Sequence, residues 1–250
     1  MTPARLSVND VSVRFGGLMA LEGVGLEVGD NQLLGFIGPN GAGKTTLMRV
    51  IMGIVQPVSG QVMLDGQDIS KLNSVQRIHA GVALGQQIVK PLRAMSLLDN
   101  VALAFGGSKL LSPLRALSVR SRATEREVAR AILSDVGLGA VTDKLPNEVP
   151  LGYLKRLEVA RALALGPRLL LLDEPLAGLS KPEAGEMADL IAGLPRPGLS
   201  VVLIEHNLPQ VLRVCPHLYV QANGRGLAFG PTDVVMAMPA VRKAYLGGEG

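Results

Sequence analysis

Residues Gly38-Pro39-Asn40-Gly41-Ala42-Gly43-Lys44-Thr45-Thr46 form a complete Walker A phosphate-binding loop, and that loop names a ligand. Its glycines let the backbone curl until successive N–H groups point at phosphate oxygens. Lys44 can reach the β- and γ-phosphates, and the Thr45 hydroxyl can sit on Mg²⁺. The flanks fit as well. Leu33-Leu34-Gly35-Phe36-Ile37 is a short apolar run that reads as a buried strand. Thr46-Leu47-Met48-Arg49-Val50-Ile51 reads as the start of a helix whose N-terminal dipole favours an anion. Strand, loop and helix in that order are the context in which the motif binds nucleotide.

A second signal lies far downstream. In Leu169-Leu170-Leu171-Leu172-Asp173-Glu174-Pro175 an apolar strand carries two carboxylates to its C-terminal edge, where ligands of open α/β sheets bind. Asp173 is suited to hold Mg²⁺ and Glu174 to orient or deprotonate an attacking water. His206 follows another apolar strand, Val201 to Glu205, and its place suggests a γ-phosphate contact; alone it reads equally well as structural. Gln87 follows the strand Val82-Ala83-Leu84 and could reach Mg²⁺ or the water, with Gln86 an alternative and a plain polar loop residue the blander reading. Phe15 could stack on a base, although a strand phenylalanine is more often core.

Around these motifs the first third is strand-rich. Leu6-Val8-Val11-Val13 and Leu21-Val24-Leu26-Val28 approximate a period of two, and Gln61 to Leu64 precedes an Asp65-Gly66 turn. Near-continuous apolar strands separated by helical stretches argue a parallel sheet covered on both faces. From about Ser96 to Ala164 the pattern turns helical, with loops expected at Gly106-Gly107-Ser108 and Pro146-Asn147. Thr124-Glu125-Arg126-Glu127 reads as a capping box with Thr124 as the cap. Val128, Ala131, Ile132 and Val136 make its apolar face, and Gly137 is a plausible C-cap. Asn223-Gly224 supports a hairpin, and the tail Gly247 to Gly250 is expected to fray.

Composition narrows the function classes. The 250 residues are 48% hydrophobic, enough for a large core. A net charge of +4 with only 3% aromatics does not suit nucleic-acid binding, which needs a clustered basic stripe. The densest basic stretch, Arg115 to Arg130, interleaves Arg120, Arg122, Arg126 and Arg130 with Glu125 and Glu127 and reads as a solvated helix face. The one cysteine, Cys215, excludes an intramolecular disulfide. No signal peptide is read at Met1 to Arg5, and no apolar run approaches the roughly 20 residues that span a bilayer. Any membrane role is therefore expected through a separate spanning partner.

Taken in order, Phe15, the phosphate loop, Gln87, a helical region, Asp173-Glu174 and His206 resemble the nucleotide-binding domain of ABC transporters over nearly the whole chain. The likeness is closer still to the ATP-binding subunits of branched-chain amino-acid uptake systems. Arg14-Phe15-Gly16-Gly17-Leu18, Leu157 to Arg161, Asp173 to Leu179 and the tail Val241-Arg242-Lys243-Ala244-Tyr245-Leu246-Gly247 carry it. The resemblance implies an α/β, P-loop NTPase (RecA-like) fold, with a parallel-sheet core, an antiparallel β subdomain and an inserted helical subdomain. It implies one domain over 1–250, with the core and β subdomain at about 1–90 and 160–250 and the helical part at about 91–159.

It also implies ATP and Mg²⁺ as cofactors. Gly38, Pro39, Asn40, Gly41, Ala42, Gly43, Lys44, Thr45 and Thr46 would hold the phosphates and Phe15 would meet adenine. Thr45, Gln87 and Asp173 would hold the metal, and Glu174, His206 and Gln87 would serve hydrolysis. The implied partners are integral-membrane permeases, a second ATP-binding subunit and, indirectly, an external solute-binding protein. The implied place is the cytoplasmic face of the inner (plasma) membrane. A soluble non-transport ABC ATPase and a nucleotide-gated assembly protein are the alternatives.

The chain departs from the family in its signature segment. Counting back from Leu157 places the usual Leu-Ser-Gly-Gly-Gln at Val149-Pro150-Leu151-Gly152-Tyr153, where only Gly152 matches. Pro150, Leu151 and Gly152 would face ATP held by the opposite subunit, and Pro150 offers neither hydroxyl nor N–H. That favours a heterodimer over a homodimer. Ser180 stands where many ABC proteins have aspartate, and Gly85-Gln86 precedes Gln87 in place of Phe-Gln.

Overall fold

The computed structural model describes residues 4–86, 90–110 and 123–246. Its strands are β1 (Leu6–Phe15), β2 (Leu18–Val28), β3 (Leu33–Ile37), β4 (Ser59–Leu64), β5 (Gln67–Asp68), β6 (Val82–Gly85), β7 (Leu169–Asp173), β8 (Ser200–Ile204), β9 (His217–Ala222) and β10 (Arg225–Pro231). Its helices are α1 (Lys44–Ile51), α2 (Ser74–His79), α3 (Leu97–Leu110), α4 (Ala123–Asp135), α5 (Leu151–Leu163), α6 (Lys181–Ala192), α7 (Leu208–Val214), α8 (Thr232–Ala237) and α9 (Pro239–Leu246).

Two sheets result. One has the order β2-β1-β4-β5 and is antiparallel; the other runs β10-β9-β3-β8-β7-β6. In the second, β9, β3, β8, β7 and β6 are mutually parallel and β10 closes the edge as an antiparallel hairpin partner. The Asn223-Gly224 turn makes that hairpin, with Asn223 at φ 49° and Gly224 at φ 73°.

The broken periodicity of β1 and β2 has a cause. Leu6 and Val8 share a face with Val11 and Val13 only if one extra residue intervenes. Asp10 at φ 52° supplies it, and the register with β2 shifts between Val8 and Val11. On β2, Gly23 at φ 60° does the same between Leu21 and Val24, with its N–H donated to Ser12 Oγ (3.0 Å).

The parallel strands are buried on both faces, as their unbroken apolar runs require. Leu34, Phe36, Leu169, Leu171, Val202 and Ile204 face a core shared with α1 and the antiparallel sheet. Their neighbours Leu33, Ile37, Leu170, Leu172, Val201 and Leu203 face a second core built with α3 to α7. Helix α1 is thus held between the two sheets by Leu47, Met48, Val50 and Ile51.

The far end of α1 is plugged by Arg77, which is fully buried. Its guanidinium donates to the carbonyls of Val50 (2.6 Å), Ile51 (2.9 Å), Ser70 (2.8 Å) and Leu72 (3.0 Å). A cation there satisfies orphan carbonyls and complements the negative end of the helix dipole.

The helical region departs from expectation in three places. Gly106, Gly107 and Ser108 lie within α3 and do not form a loop; the local glycine signal yields to the helix that packs on α4. Thr124 sits inside α4, which already includes Ala123, so it does not cap it. The buried face of α4 is Glu125, Ala129 and Leu133 running on to Val136, while Ala131 is exposed.

Gly137 ends α4 as expected. It takes φ 74°, its N–H donates to Ser134 O (2.9 Å), and the Leu138 N–H reaches back to Leu133 O (2.7 Å), the paired bonds of a Schellman stop. Pro146 to Glu148 form a single 3-10 turn. Arg126 pairs with Asp99 of α3 at 3.1 Å, and Arg130 is exposed. Arg115, Arg120, Arg122, Gln87 and the tail Gly247 to Gly250 lie outside the described residues.

Candidate active site

The phosphate loop leaves β3 and enters α1 through Gly43, whose φ of 96° makes it a left-handed N-cap. A Cβ on Gly43 would meet Gln221 Nε2 at 2.7 Å, Leu21 Cδ2 at 2.8 Å and the Ala20 carbonyl at 3.0 Å. Both dihedral and space therefore require glycine here. The loop is also braced from β9. Gln221 is fully buried and donates Nε2 to Ala42 O (2.7 Å), which accepts a second bond from Gly224 N (3.1 Å).

Lys44 is 7% exposed, and its Nζ donates to the carbonyls of Gly38 (2.6 Å) and Pro39 (3.0 Å). Burial pulls its pKa down, against the opposing fields of Glu174 and Asp173.

Parallel pairing brings the acidic edge to this loop. Asp173 is in register with Ile204, so the ends of β7 and β8 stand side by side. Burial raises the Asp173 pKa, the Glu174 charge raises it further, and Arg49, His206 and Lys44 oppose. Glu174 turns sharply, at φ 48°, with its N–H bonded to Ile204 O (2.9 Å). A non-glycine residue in that region costs about 1–2 kcal/mol and marks a position held by its surroundings. The turn aims the carboxylate at the next strand end, where Glu174 Oε1 stands 3.1 Å from His206 Nε2.

A cleft of about 520 Å³ unites these parts. Asn40 to Thr46, Asp173, Glu174 and His206 all line it. Gly38 and Pro39, the first residues of the loop, do not line the cleft; their carbonyls hold Lys44. Phe15 is not in the lining. It is 50% exposed at the end of β1, opposite Leu18, which does line the cleft.

The arrangement is that of a nucleoside-triphosphate hydrolase: a loop for phosphates, a buried lysine, and two carboxylates with a histidine at the far wall. The ABC transporter family model matches residues 21–177, from within β2 to past Glu174 and so across both motifs. The chain belongs to the ABC transporter ATP-binding family. Its α/β architecture is the P-loop NTPase fold of that family, and the protein is an ATPase.

Relatives extend the likeness to the whole chain. It is 36% identical over 248 residues to the high-affinity branched-chain amino acid transport ATP-binding protein BraF of Pseudomonas aeruginosa, with 97% of each chain covered. It is 30% identical over 242 residues to the lipopolysaccharide export system ATP-binding protein LptB of Haemophilus influenzae, again with 97% of each covered. Among solved structures, the ADP conformation of MJ1267, an ATP-binding cassette of an ABC transporter, matches with a TM-score of 0.85. It is 30% identical, and the match covers 98% of this chain and 99% of that one.

In this ABC chain the segment Val149 to Tyr153 does not share the cleft with the phosphate loop. Pro150, at φ −67° and ψ 166°, is the N-cap of α5 and makes no side-chain cap bond. Leu151 is 44% exposed, and a Cβ on Gly152 would stand 3.3 Å from Glu183 of α6. None of the three lines the cleft of their own chain.

Sequence reasoning missed several residues of the ABC site. Leu18, Met19 and Ala20 of β2 and the Asn223-Gly224 turn line the cleft, and Gln221 braces the loop. Asn223-Gly224 carried a turn signal but no ligand signal. Lys155 (5% exposed) and Glu205 (3% exposed) lie buried behind Glu174, where nothing in the local pattern announced them.

Proposed function

We propose that this ATPase is one ATP-hydrolysing subunit of an importer for branched-chain or related hydrophobic amino acids. It works on the cytoplasmic face of the inner membrane, coupled to separate integral-membrane permeases. The likeness to BraF, 36% identity across 97% of both chains, carries the cargo class. Among the described residues no helix is long and apolar enough to cross a membrane.

In this reading Lys44 and the loop N–H groups grip the β- and γ-phosphates, and Glu174 takes the proton of the attacking water or orients it. His206, its Nε2 3.1 Å from Glu174 Oε1, contacts the γ-phosphate. Phe15, beside Leu18 at the mouth, stacks on adenine. Thr45 and Asp173, which line one cleft, would hold Mg²⁺, with Gln87 as a further ligand. Among the described residues no group of three or more His, Cys, Asp or Glu forms a cage. Mg²⁺, which binds through one or two carboxylates plus substrate phosphates, would supply charge neutralisation at the transferring phosphoryl group there.

Pro150, Leu151 and Gly152, outside their own cleft, face ATP on a second ATP-binding subunit. The missing hydroxyl favours a heterodimer. The domain then runs over 1–250, with its helical part at about 91–159.

Deleting the gene in its own host tests the cargo. Uptake of labelled leucine, isoleucine and valine at low external concentration should fall, with the outer envelope intact. The 30% identity to LptB motivates the other arm. Unchanged uptake with a leaky envelope would assign the subunit to export of a lipid-like cargo instead.

A further inference from the structure

Glu205 sits between the two strand-end turns of the site. It is the last residue before His206, and only 3% of it is exposed. One carboxylate oxygen accepts the Leu176 N–H (2.7 Å), from the turn that carries Glu174. The other accepts the N–H groups of His206 (3.1 Å) and Asn207 (3.4 Å), from the turn that carries His206. One buried side chain thus bridges both.

A buried carboxylate is strongly disfavoured unless such donors meet it, so these bonds fix its place, and its place fixes the turns. The Glu174 turn is held from the opposite side as well. Lys155, on the second turn of α5 and 5% exposed, lies with Nζ 3.4 Å from the main-chain oxygen of Glu174. The charges of Glu205, Glu174, Glu158 and Asp173 all surround that ammonium. Between these holds Glu174 keeps its left-handed backbone at φ 48° and its 3.1 Å approach to His206.

We propose that Glu205 and Lys155 are positioning residues for hydrolysis: Glu205 locks the Glu174 turn to the His206 turn, and Lys155 locks the Glu174 turn to helix α5. Neither lines the cleft, so neither touches nucleotide. The consequence is specific. The base and its histidine hold their mutual geometry through a buried carboxylate. Helix α5, capped by Pro150, meets that geometry through the Lys155 ammonium. A shift of α5 relative to β7 would reach the Glu174 turn through Lys155.

The inference rests on Glu174 serving hydrolysis, so the Glu174→Gln variant runs beside the others. The full chain is assayed for single-turnover release of phosphate from labelled ATP, for ATP affinity and for thermal stability. Glu205→Gln removes the charge and one acceptor at constant size; Lys155→Met removes the ammonium at similar length; Lys155→Arg keeps a cation.

Glu205→Gln and Lys155→Met should each slow turnover about ten- to a hundredfold, the cost of misplacing a reacting group by an ångström or less. ATP affinity should stay within about threefold, because the phosphate grip is untouched. Lys155→Arg should recover most of the rate. Turnover within about twofold of the parent in both neutral variants would overturn the proposal. So would a rate loss matched by equal losses of affinity and stability and not recovered by arginine. Parent-like turnover by Glu174→Gln would instead remove the reading on which the clamp depends.

Discussion

Two glycines of one loop give a test whose magnitude can be worked out beforehand. Gly41 has φ 77° and Gly43 has φ 96°, so alanine is strained at either, by about 1–2 kcal/mol. Alanine also restricts the unfolded chain, which returns about 0.4–1 kcal/mol. At Gly41 nothing lies within 4 Å of a new Cβ, and those two terms are the whole account. Gly41→Ala should therefore cost about 0.5–1.5 kcal/mol.

At Gly43 the same Cβ meets Gln221, Leu21 and the Ala20 carbonyl at 2.7–3.0 Å. Overpacking of that kind adds about 1–3 kcal/mol, for a total near 2–4. In a chain of this size the difference is a drop of several degrees in melting temperature, about 2–4 °C per kcal/mol. Because the clash pushes on Gln221, it also loosens the bond to Ala42 O that braces the loop. Gly43→Ala should lose ATP affinity out of proportion to Gly41→Ala. Urea unfolding and equilibrium ATP titration of the two variants decide the matter. Equal destabilisation at both sites would refute the claim that packing, and not dihedral strain alone, holds the loop.

Three further outcomes are expected. Glu174→Gln should bind ATP with parent-like affinity yet hydrolyse it at a small fraction of the parent rate, trapping the closed dimer with the natural partner subunit; sedimentation with ATP and Mg²⁺ reads it. Asp173→Asn should abolish hydrolysis yet raise the melting temperature of the nucleotide-free protein at neutral pH. The folded carboxyl has a pKa raised above its unfolded value, so its ionisation costs stability increasingly as pH rises through that window, and the neutral amide removes the cost. Differential scanning through the acid range should show the gain growing as pH rises above the ordinary aspartate value of about 3.9, then levelling once the folded carboxyl is ionised. Pro150→Ser should stabilise α5 by about 0.5 kcal/mol, as an N-cap that now accepts a bond, and should speed only the ATP site built on the partner's phosphate loop.

Much of the fold was legible because its signals are contiguous. The strands around Leu33 to Ile37, Leu169 to Asp173 and Val201 to Ile204 are unbroken apolar runs, and only a sheet covered on both faces buries them. The loop and the carboxylates at those strand ends then fall into place by register, since Asp173 must lie beside Ile204 once β7 and β8 pair. Local signals failed where packing overrode them. Gly106 and Gly107 carry weak helix propensity, yet α3 runs through both. Ala131 fits a helical apolar stripe, yet the stripe that faces the core is set by Ala129 and Leu133.

What escaped the sequence, Lys44 apart, is buried charge. A charged side chain is read as surface because it is almost never buried unpaired, and its partners here are remote in the chain. Arg77 finds the Val50 carbonyl 27 residues away, and Glu205 finds the Leu176 N–H 29 residues away. Neither partner is a charged side chain that a pattern could match; both are main-chain groups, which every residue carries. The consequence bears on how the site works. The residues that would touch phosphate and water occur at recognisable spacings because the ligand imposes its own geometry. Those that hold Glu174, His206 and α1 in place answer only to where this backbone runs short of hydrogen-bond partners. Arg77 fills that need at the C-terminal end of α1, Gln221 behind Ala42, and Glu205 between the ends of β7 and β8. Substituting any of them should leave the motif intact to the eye and the geometry of the site altered.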